Sequence, residues 1–292
     1  MDWITGIQRA IDYVEDNITE SLDYEEVAKR ACSSNYHFQR VFSILCGYPL
    51  GEYIRCRRLT MAGSELAGSD IKVIDVAIKY GYDSPDSFTK AFTRFHGITP
   101  SAAKQSGASL KSFSRLSIKL SLEGGNIMNY RIEEKEGMQI AVKSKRFTTD
   151  EEINRRLIPE FWNTCATDGT FDALCSITSE ESVFGRALLG ICVEDTCKES
   201  TDFEYSIGVQ YMGGSVPESC IIKDVPKLTW AVFECKGAMP QGIQDGWHKV
   251  YSEFFPTSEY EQHSMFTFEV YPEGDQSSAD YVSEIWIPVR KK

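Results

Sequence analysis

One face of a short predicted helix that begins at Pro85 carries side chains that can exchange hydrogen bonds with a polar polymer. The opposite face is apolar, because Phe88, Phe92 and Phe95 recur at helical spacing. A polar second helix is typical of a helix-turn-helix, whose second helix enters the major groove of DNA. An ordinary helical hairpin with a solvated face has the same pattern, so periodicity alone leaves both interpretations open. The polar residues are Asp86, Ser87, Thr89, Lys90, Thr93 and Arg94.

The preceding segment supplies the other helix of such a pair. Val76, Ala77 and Tyr80 form one apolar helical face, and Gly81 can accept the left-handed conformation that ends a helix. The Ser-Pro pair at 84–85 is suited to the cap and first position of the next helix. We therefore predict two short helices joined by a tight turn.

The same arrangement recurs about fifty residues earlier. Asp23 and Ser34 are each placed to cap a helix, and the second helix should run to about Cys46. A longer helix follows Pro49, from about residue 50 to 66. The repeat predicts two helix-turn-helix units joined by one helix. On the earlier unit's second helix we expect these residues to face outward: Tyr36, His37, Gln39, Arg40 and Ser43.

A specific pattern lies in the later unit. The run Ala77-x-x-x-Gly81-Tyr82-x-Ser84-x-x-x-Phe88-x-x-x-Phe92-x-x-x-x-Gly97-x-Thr99-Pro100 resembles the second helix-turn-helix of AraC/XylS-type transcription regulators. The resemblance covers roughly residues 5–105. It implies that the linking helix holds two recognition helices for two successive major grooves, about one helical turn apart.

The resemblance also implies which side chains contact bases. Arg40 can bond guanine, and Gln39 can bond adenine, each in bidentate fashion. Tyr36 can stack on a thymine methyl group or a sugar. Asp86 departs from the neutral residues expected at its position, since it repels phosphate but can accept from cytosine N4. The implied contacts are Tyr36, Gln39 and Arg40 on the first helix, and Asp86, Ser87, Thr89 and Lys90 on the second.

The net charge of −12 argues superficially against a nucleic-acid partner. However, residues 1–107 hold 12 basic and 14 acidic residues, whereas residues 129–292 hold 16 and 28. The acidity therefore lies in the C-terminal part, and a nearly neutral domain can still place cations on one face. The candidate phosphate contacts are Arg40, Arg55, Arg57, Arg58, Lys90, Arg94 and Lys104.

Composition constrains the compartment and the cofactors. No run of eighteen apolar residues could span a membrane, and the N-terminus lacks the features of a secretory signal. Nine scattered cysteines without a Cys-x-x-Cys pair favour reduced thiols over a disulfide framework or a zinc site. We expect a cytoplasmic, non-enzymatic protein with no cofactor, metal or membrane partner.

The C-terminal half contains a second repeat. At an offset of 90, Ile140-Ala141-Val142 aligns with Trp230-Ala231-Val232, and a helical pattern follows each run. The predicted fold is multidomain: two helix-turn-helix units joined by a linker helix, then an α+β domain of duplicated modules around a shared groove. The expected boundaries are 1–107 for the all-α domain, 108–128 for a semi-ordered linker and 129–292 for the α+β domain. Three linker cations are candidates for the DNA backbone: Lys111, Arg115 and Lys119.

This half resembles the GyrI-like, or BmrR-type, small-molecule-binding domain. The matching runs are Phe254-Phe255-Pro256-x-Ser258-x-Tyr260, Phe268-Glu269-Val270-Tyr271 and Glu284-Ile285-Trp286-Ile287-Pro288-Val289. A DNA-binding domain of AraC type followed by a GyrI-like domain is the layout of Rob-like regulators. The resemblance implies an aromatic pocket for a drug-like molecule.

Strand alternation suggests where the pocket lies. Glu284 and Trp286 share one face of their strand, and if the apolar neighbours lie under the helices, these two face the groove. A carboxylate in an aromatic groove favours a flat, hydrophobic cation. Alternatively, Glu284 pairs with a nearby Lys or Arg, and the tryptophans are core residues. The expected ligand contacts are Trp162, Trp247, Tyr251, Glu269, Glu284 and Trp286.

These patterns predict a transcription regulator whose contact with promoter or operator DNA, or with RNA polymerase, changes when a small-molecule effector binds. Two alternatives remain open. The C-terminal domain is a hydrolase in which Glu284 acts beside Trp286, or it is a protein-contact module without a ligand.

Overall fold

A computed structural model describes residues 3–117, 128–148, 151–193, 202–263 and 266–292. The chain divides into two compact units, Met1–Leu122 and Glu123–Lys292. Within the described ranges, no helix has both the length and the apolar character needed to cross a membrane.

The first unit is helical, as predicted. Val41 and Phe42 are fully buried in its first half, and Phe88 and Phe92 in its second. The helix α4 joins two helix-turn-helix units, α2–α3 and α5–α6, which confirms the predicted architecture. The helices are α1 Trp3–Asp16, α2 Tyr24–Arg30, α3 Asn35–Cys46, α4 Leu50–Leu66, α5 Val73–Lys79, α6 Pro85–His96 and α7 Pro100–Ala103.

Local capping fixes where the two second helices begin and end. The Ser34 hydroxyl accepts from the His37 backbone N–H, and the Ser84 hydroxyl accepts from that of Ser87, each at 3.2 Å. Gly47 ends α3 with a φ of 76°, a left-handed conformation that glycine adopts without a Cβ clash. The predicted bounds of α3 and the predicted start of α6 are therefore confirmed.

The second unit is a sheet with helices, as predicted. Its strands are β1 Tyr130–Lys135, β2 Met138–Thr148, β3 Leu188–Val193, β4 Asp202–Gln210, β5 Ile221–Val225, β6 Leu228–Lys236, β7 Tyr260–Gln262, β8 Phe266–Tyr271 and β9 Val282–Lys291. Its helices are α8 Glu151–Thr167, α9 Thr170–Cys175, α10 Gln241–Lys249 and α11 Phe255–Thr257. Between α10 and α11, residues Val250–Phe254 form a π-helical stretch.

The sheet order confirms the duplication. The main path runs β1-β6-β9-β8-β3-β4-β2-β5, and β7 pairs with β9 outside it. Because β1, β2, β3 and β4 correspond to β5, β6, β8 and β9, the order is the same when read from either end. The two halves of this order meet between β3 and β8, which are equivalent strands, and we call this junction the equivalence point of the sheet. Each module also exchanges its first strand, since β1 pairs with β6 and β5 pairs with β2.

Both faces of this sheet are apolar. One face lies under α8 and α10, where Ile285 approaches Gly246 of α10. The opposite face carries a core of fully buried side chains, among them Trp230, Phe268 and Trp286. Residues from β2 and β5 at one end join this core together with residues from β6 near the other end. The sheet therefore curves around the core on the side away from the helices.

Candidate functional site

The outer face of α6 presents polar groups, as predicted. Asp86, Lys90 and Arg94 are exposed, and Thr89 is half-buried. Ser87 is also exposed, but its hydroxyl donates to the Ser84 carbonyl oxygen at 2.9 Å. This face can therefore offer a carboxylate, a hydroxyl and two cations to a partner.

The corresponding face of α3 differs from the prediction. Tyr36 is 8% exposed and Gln39 is 4% exposed, and Ser43 is buried as well, so their expected outward position is wrong. Along the helix, the Gln39 side-chain amide donates to the Asn35 side chain at 2.8 Å. Arg40 donates to the Tyr36 hydroxyl at 3.4 Å and is half-buried. Of the three residues on α3 that were expected to contact bases, Arg40 is the most accessible.

Two arginines expected to contact phosphate have structural roles instead. Arg57 forms a bidentate pair with the Glu15 carboxylate, at 2.8 Å for each bond, and both side chains are largely buried. Arg58 donates to the carbonyl oxygens of Ile18 and Glu20, at 2.8 and 2.7 Å. Their donors are used to hold α4 against the segment that contains α1, because a buried guanidinium requires such partners.

The first part of the predicted linker packs on the helical unit. Residues 108–117 hydrogen-bond to that unit, and Arg115 pairs with Asp12 at 2.7 Å rather than standing free for DNA. This stretch also belongs to the same compact unit as the helices. Lys119 lies outside the described residues.

In the second unit, a carboxylate lies at the junction of the two modules. Glu269 of β8 is directly opposite Gly190 of β3, the strand pair at the equivalence point of the sheet. Its Oε1 accepts from the Trp247 indole N–H at 2.7 Å, and its Oε2 accepts from the Tyr271 hydroxyl at 2.9 Å. Two neutral donors thus orient a half-buried carboxylate.

Aromatic rings from both modules surround Glu269. From the first module, the Trp162 indole on α8 donates to the Tyr205 hydroxyl at 3.0 Å and packs edge-on against Tyr271, with ring centroids 5.2 Å apart. From the second module, Trp247 of α10 stacks on Tyr251, with centroids 5.7 Å apart and an interplanar angle of 11°. We name this set the carboxylate–aromatic cluster: Glu269, Trp162, Trp247, Tyr251, Tyr205 and Tyr271.

Two backbone features make room for the carboxylate–aromatic cluster. A Cβ at Gly190 would lie 2.5 Å from the Tyr205 hydroxyl and 3.2 Å from a Glu269 oxygen, so only glycine fits beneath these groups. Tyr251 lies in the π-helical stretch that follows α10. Such wide turns often mark functional sites, because they redirect side chains within an otherwise regular helix.

Four of the six expected ligand residues belong to the carboxylate–aromatic cluster, and two do not. Glu284 and Trp286 lie on the face of the sheet away from the helices, as the strand alternation predicted, but Trp286 packs in the core on that face rather than lining a groove. Trp286 is 1% exposed there. Both Glu284 oxygens accept from Arg131, at 2.7 and 3.3 Å, and the Trp286 indole donates to one of them at 2.8 Å. The alternative that Glu284 pairs with a nearby cation is the observed one.

The sequence prediction missed Gly190, Tyr205 and Tyr271. One signal was available, because Glu269 and Tyr271 are two residues apart in a strand and therefore share a face. Gly190 and Tyr205 come from strands whose partners only the topology reveals.

Comparison with known proteins agrees with this architecture. Residues 131–289 match the family model described as an integron-associated effector binding protein, and residues 27–106 match a helix-turn-helix domain model. The HTH-type transcriptional activator AarP of Providencia stuartii is 42% identical over 95 residues, which is 32% of this chain and 70% of AarP. The multiple antibiotic resistance protein MarA of Escherichia coli K12 is 33% identical over 94 residues, which is 32% of this chain and 74% of MarA.

Among solved structures, SAV2435 bound to tetraphenylphosphonium is 22% identical, with a TM-score of 0.49. The match covers 56% of this chain and 94% of SAV2435. The family assignment rests on the sequence matches: the chain belongs to the AraC-type helix-turn-helix transcription regulators, and its C-terminal half is a GyrI-like domain of the integron-associated effector-binding family.

Proposed function

We propose that this regulator binds specific DNA sites and that a hydrophobic cation bound at the carboxylate–aromatic cluster modulates its activity. The observation that carries the proposal is the position of Glu269, at the junction of the two modules and among rings from both. A molecule bound there contacts both halves of the domain.

The chemistry of the carboxylate–aromatic cluster determines the ligand class. The Trp247 indole and the Tyr271 hydroxyl are neutral donors that hold the Glu269 carboxylate in one orientation among the rings. A ligand cation adds an ion pair, and the faces of nearby indole and phenol rings add cation–π attraction. A hydrophobic ligand also displaces water from the rings, while an anion meets repulsion. Trp162 and Glu269 are half-buried, which gives a ligand a route to the carboxylate.

For DNA, we propose that Arg40 of α3 and the exposed face of α6 make the contacts. The α6 contacts are Asp86, Ser87, Thr89, Lys90 and Arg94. Contact by Tyr36 and Gln39 requires their side chains to leave the buried positions that they hold here. Contact with RNA polymerase at the promoter is part of the same proposal, and modulation requires that the effector bind two states of the regulator with different affinity.

Ligand binding is tested by calorimetric titration of the full chain with two probes of nearly the same shape and opposite charge. We expect tetraphenylphosphonium to bind and tetraphenylborate not to bind. Glu269→Gln should weaken tetraphenylphosphonium at least about tenfold, because the ion pair is lost. Glu284→Gln is the matched control, because the Glu284 carboxylate lies on the other face of the sheet. This variant should bind tetraphenylphosphonium like the wild type. Equal binding of both probes, or equal loss in both variants, would overturn the proposal.

Regulation is tested on DNA. Duplexes selected from a randomised pool by the full chain provide the operator, and gel-shift titration measures its affinity with and without tetraphenylphosphonium. Transcription from that operator with purified RNA polymerase gives the second readout. We expect the probe to change one of these for the wild type and neither for Glu269→Gln. No change in either readout would remove the cation as an effector.

A further inference from the structure

The segment that follows α7 packs along the helical unit. Residues 108–117, which we name the strap, form neither a helix nor a strand. Every third side chain is half-buried, namely Leu110, Phe113 and Leu116, and most of the others are exposed. The Phe113 ring lies between Tyr48 and Tyr53, with centroids 5.6 and 6.2 Å away. A period of three is that of an extended chain with a left-handed twist.

The strap is held at its backbone rather than only by its side chains. The Lys111 N–H donates to His96 Nδ1 of α6 at 3.2 Å. The Phe113 N–H donates to the Thr60 hydroxyl at 2.9 Å, and its carbonyl accepts from Arg57 at 2.6 Å, both on α4.

Further along, the Leu116 N–H donates to the Tyr53 hydroxyl of α4 at 3.1 Å. The Arg115 guanidinium reaches Asp12 of α1 at 2.7 Å. The strap therefore runs from the second recognition helix, across the linking helix, to the first helix of the unit.

His96 is the link at the α6 end. Its ring is 4% exposed, and Nε2 lies 2.9 Å from the Leu59 carbonyl oxygen of α4, an atom that can only accept. Because Nδ1 accepts from the Lys111 N–H, the ring is neutral and carries its proton on Nε2. A Cβ at Gly63 would lie 2.7 Å from this ring, so α4 approaches it closely. One imidazole thus joins α6, α4 and the strap.

We propose that His96 and the strap are positioning elements of the DNA reader, which fix α6 relative to α3 and so set the distance between the two half-sites that the chain recognises. When two recognition helices lie on one chain, the second contact is favoured only if its geometry matches the first. The proposal concerns DNA recognition alone and does not depend on an effector.

Two variants of the full chain each remove one strap bond. His96→Gln keeps a donor for the Leu59 carbonyl, but when its amide nitrogen replaces Nε2, its acceptor oxygen is no longer at the position of Nδ1 that accepts from Lys111. Thr60→Val keeps the shape of the side chain but loses the acceptor for Phe113. Ser64→Ala is the matched control, because its hydroxyl lies one turn further along α4 and donates to the Thr60 carbonyl, not to the strap. Thermal unfolding shows whether each variant is folded.

The readout is the preferred half-site spacing. Duplexes selected by the wild type are remade with one base pair inserted or removed between the half-sites, and affinity is measured by gel shift. We define the spacing penalty as the loss of affinity when the spacing changes by one base pair. We expect this penalty to be about 20-fold for the wild type and Ser64→Ala, and about threefold for the two strap variants.

A folded strap variant that keeps the wild-type spacing penalty overturns the proposal. A parallel loss of affinity on every duplex, in step with a lower melting temperature, also overturns it, because it would show a purely stabilising role. If one variant does not fold, the other decides.

Discussion

Gly190 and Glu269 face each other across β3 and β8, the only pair of neighbouring strands on the main path of the described sheet that joins equivalent strands of the two modules. The missing side chain at one position leaves space for the carboxylate at the other. A larger side chain at position 190 would therefore crowd the Glu269 carboxylate.

Filling that space should weaken ligand binding. Gly190→Ala places a methyl group 2.5 Å from the Tyr205 hydroxyl, so the carboxylate–aromatic cluster must shift. We expect the affinity for tetraphenylphosphonium to fall at least about tenfold, and the free energy of unfolding to fall by about 1–3 kcal/mol, as for other overpacked cores. Calorimetry and urea unfolding measure these changes. Operator affinity without ligand should be retained, and unchanged ligand affinity would show that the ligand does not approach Gly190.

Removal of the accessible arginine on α3 should relax recognition at one base pair. Arg40→Ala should cost about 1–3 kcal/mol of binding free energy at the preferred operator, and much less at operators altered at the base that Arg40 contacts. Gel shifts on a set of single-base operator variants measure this. A uniform loss across the set, with a shallower salt dependence, would instead identify Arg40 as a phosphate contact.

Acid should weaken the helical unit through His96. Burial lowers the pKa of this imidazole from its ordinary value of 6.5. Below pH 6.5 the unfolded chain therefore binds a proton that the folded chain does not, so stability is complete above pH 6.5 and is lost as the pH falls through the lowered pKa. Unfolding followed by far-UV circular dichroism between pH 7.5 and 5, as an approximate range, should show this slope. His96→Gln should reduce it, and an equal slope in the variant would assign it to other groups.

The buried pair of Glu15 and Arg57 should matter more to stability than an exposed pair. Glu15→Ala leaves the Arg57 guanidinium largely buried and without its carboxylate, which should cost about 3–5 kcal/mol of unfolding free energy. Glu26→Ala breaks the exposed pair with Lys29 and should change the free energy of unfolding little. Denaturant unfolding of both variants provides the comparison, and similar losses would contradict the role assigned to Arg57.

Features set by neighbouring residues were predictable from the sequence. Ser34, Ser84 and Gly47 define helix ends through bonds within a few residues, so the bounds of α3 and α6 follow from local chemistry. The duplication was also visible, because equivalent strands keep their order along the chain.

Features set by distant partners were not predictable. Alternation correctly placed Glu284 and Trp286 on the face away from the helices, but nothing in the local sequence showed that this face packs into a core instead of lining a groove. The strap was missed for a related reason, since a period of three matches neither a helix nor a strand. The burial of Gln39 likewise did not follow from its helical spacing.

The exchange of β1 and β5 between the modules has a consequence for what the C-terminal unit is. Each half is completed by an edge that the other half provides, which is the arrangement of a domain-swapped homodimer whose two copies have been fused into one polypeptide. The unit is therefore an internal dimer in a single chain, and because its two halves differ in sequence, each side of the β3–β8 junction can carry side chains that the other side lacks.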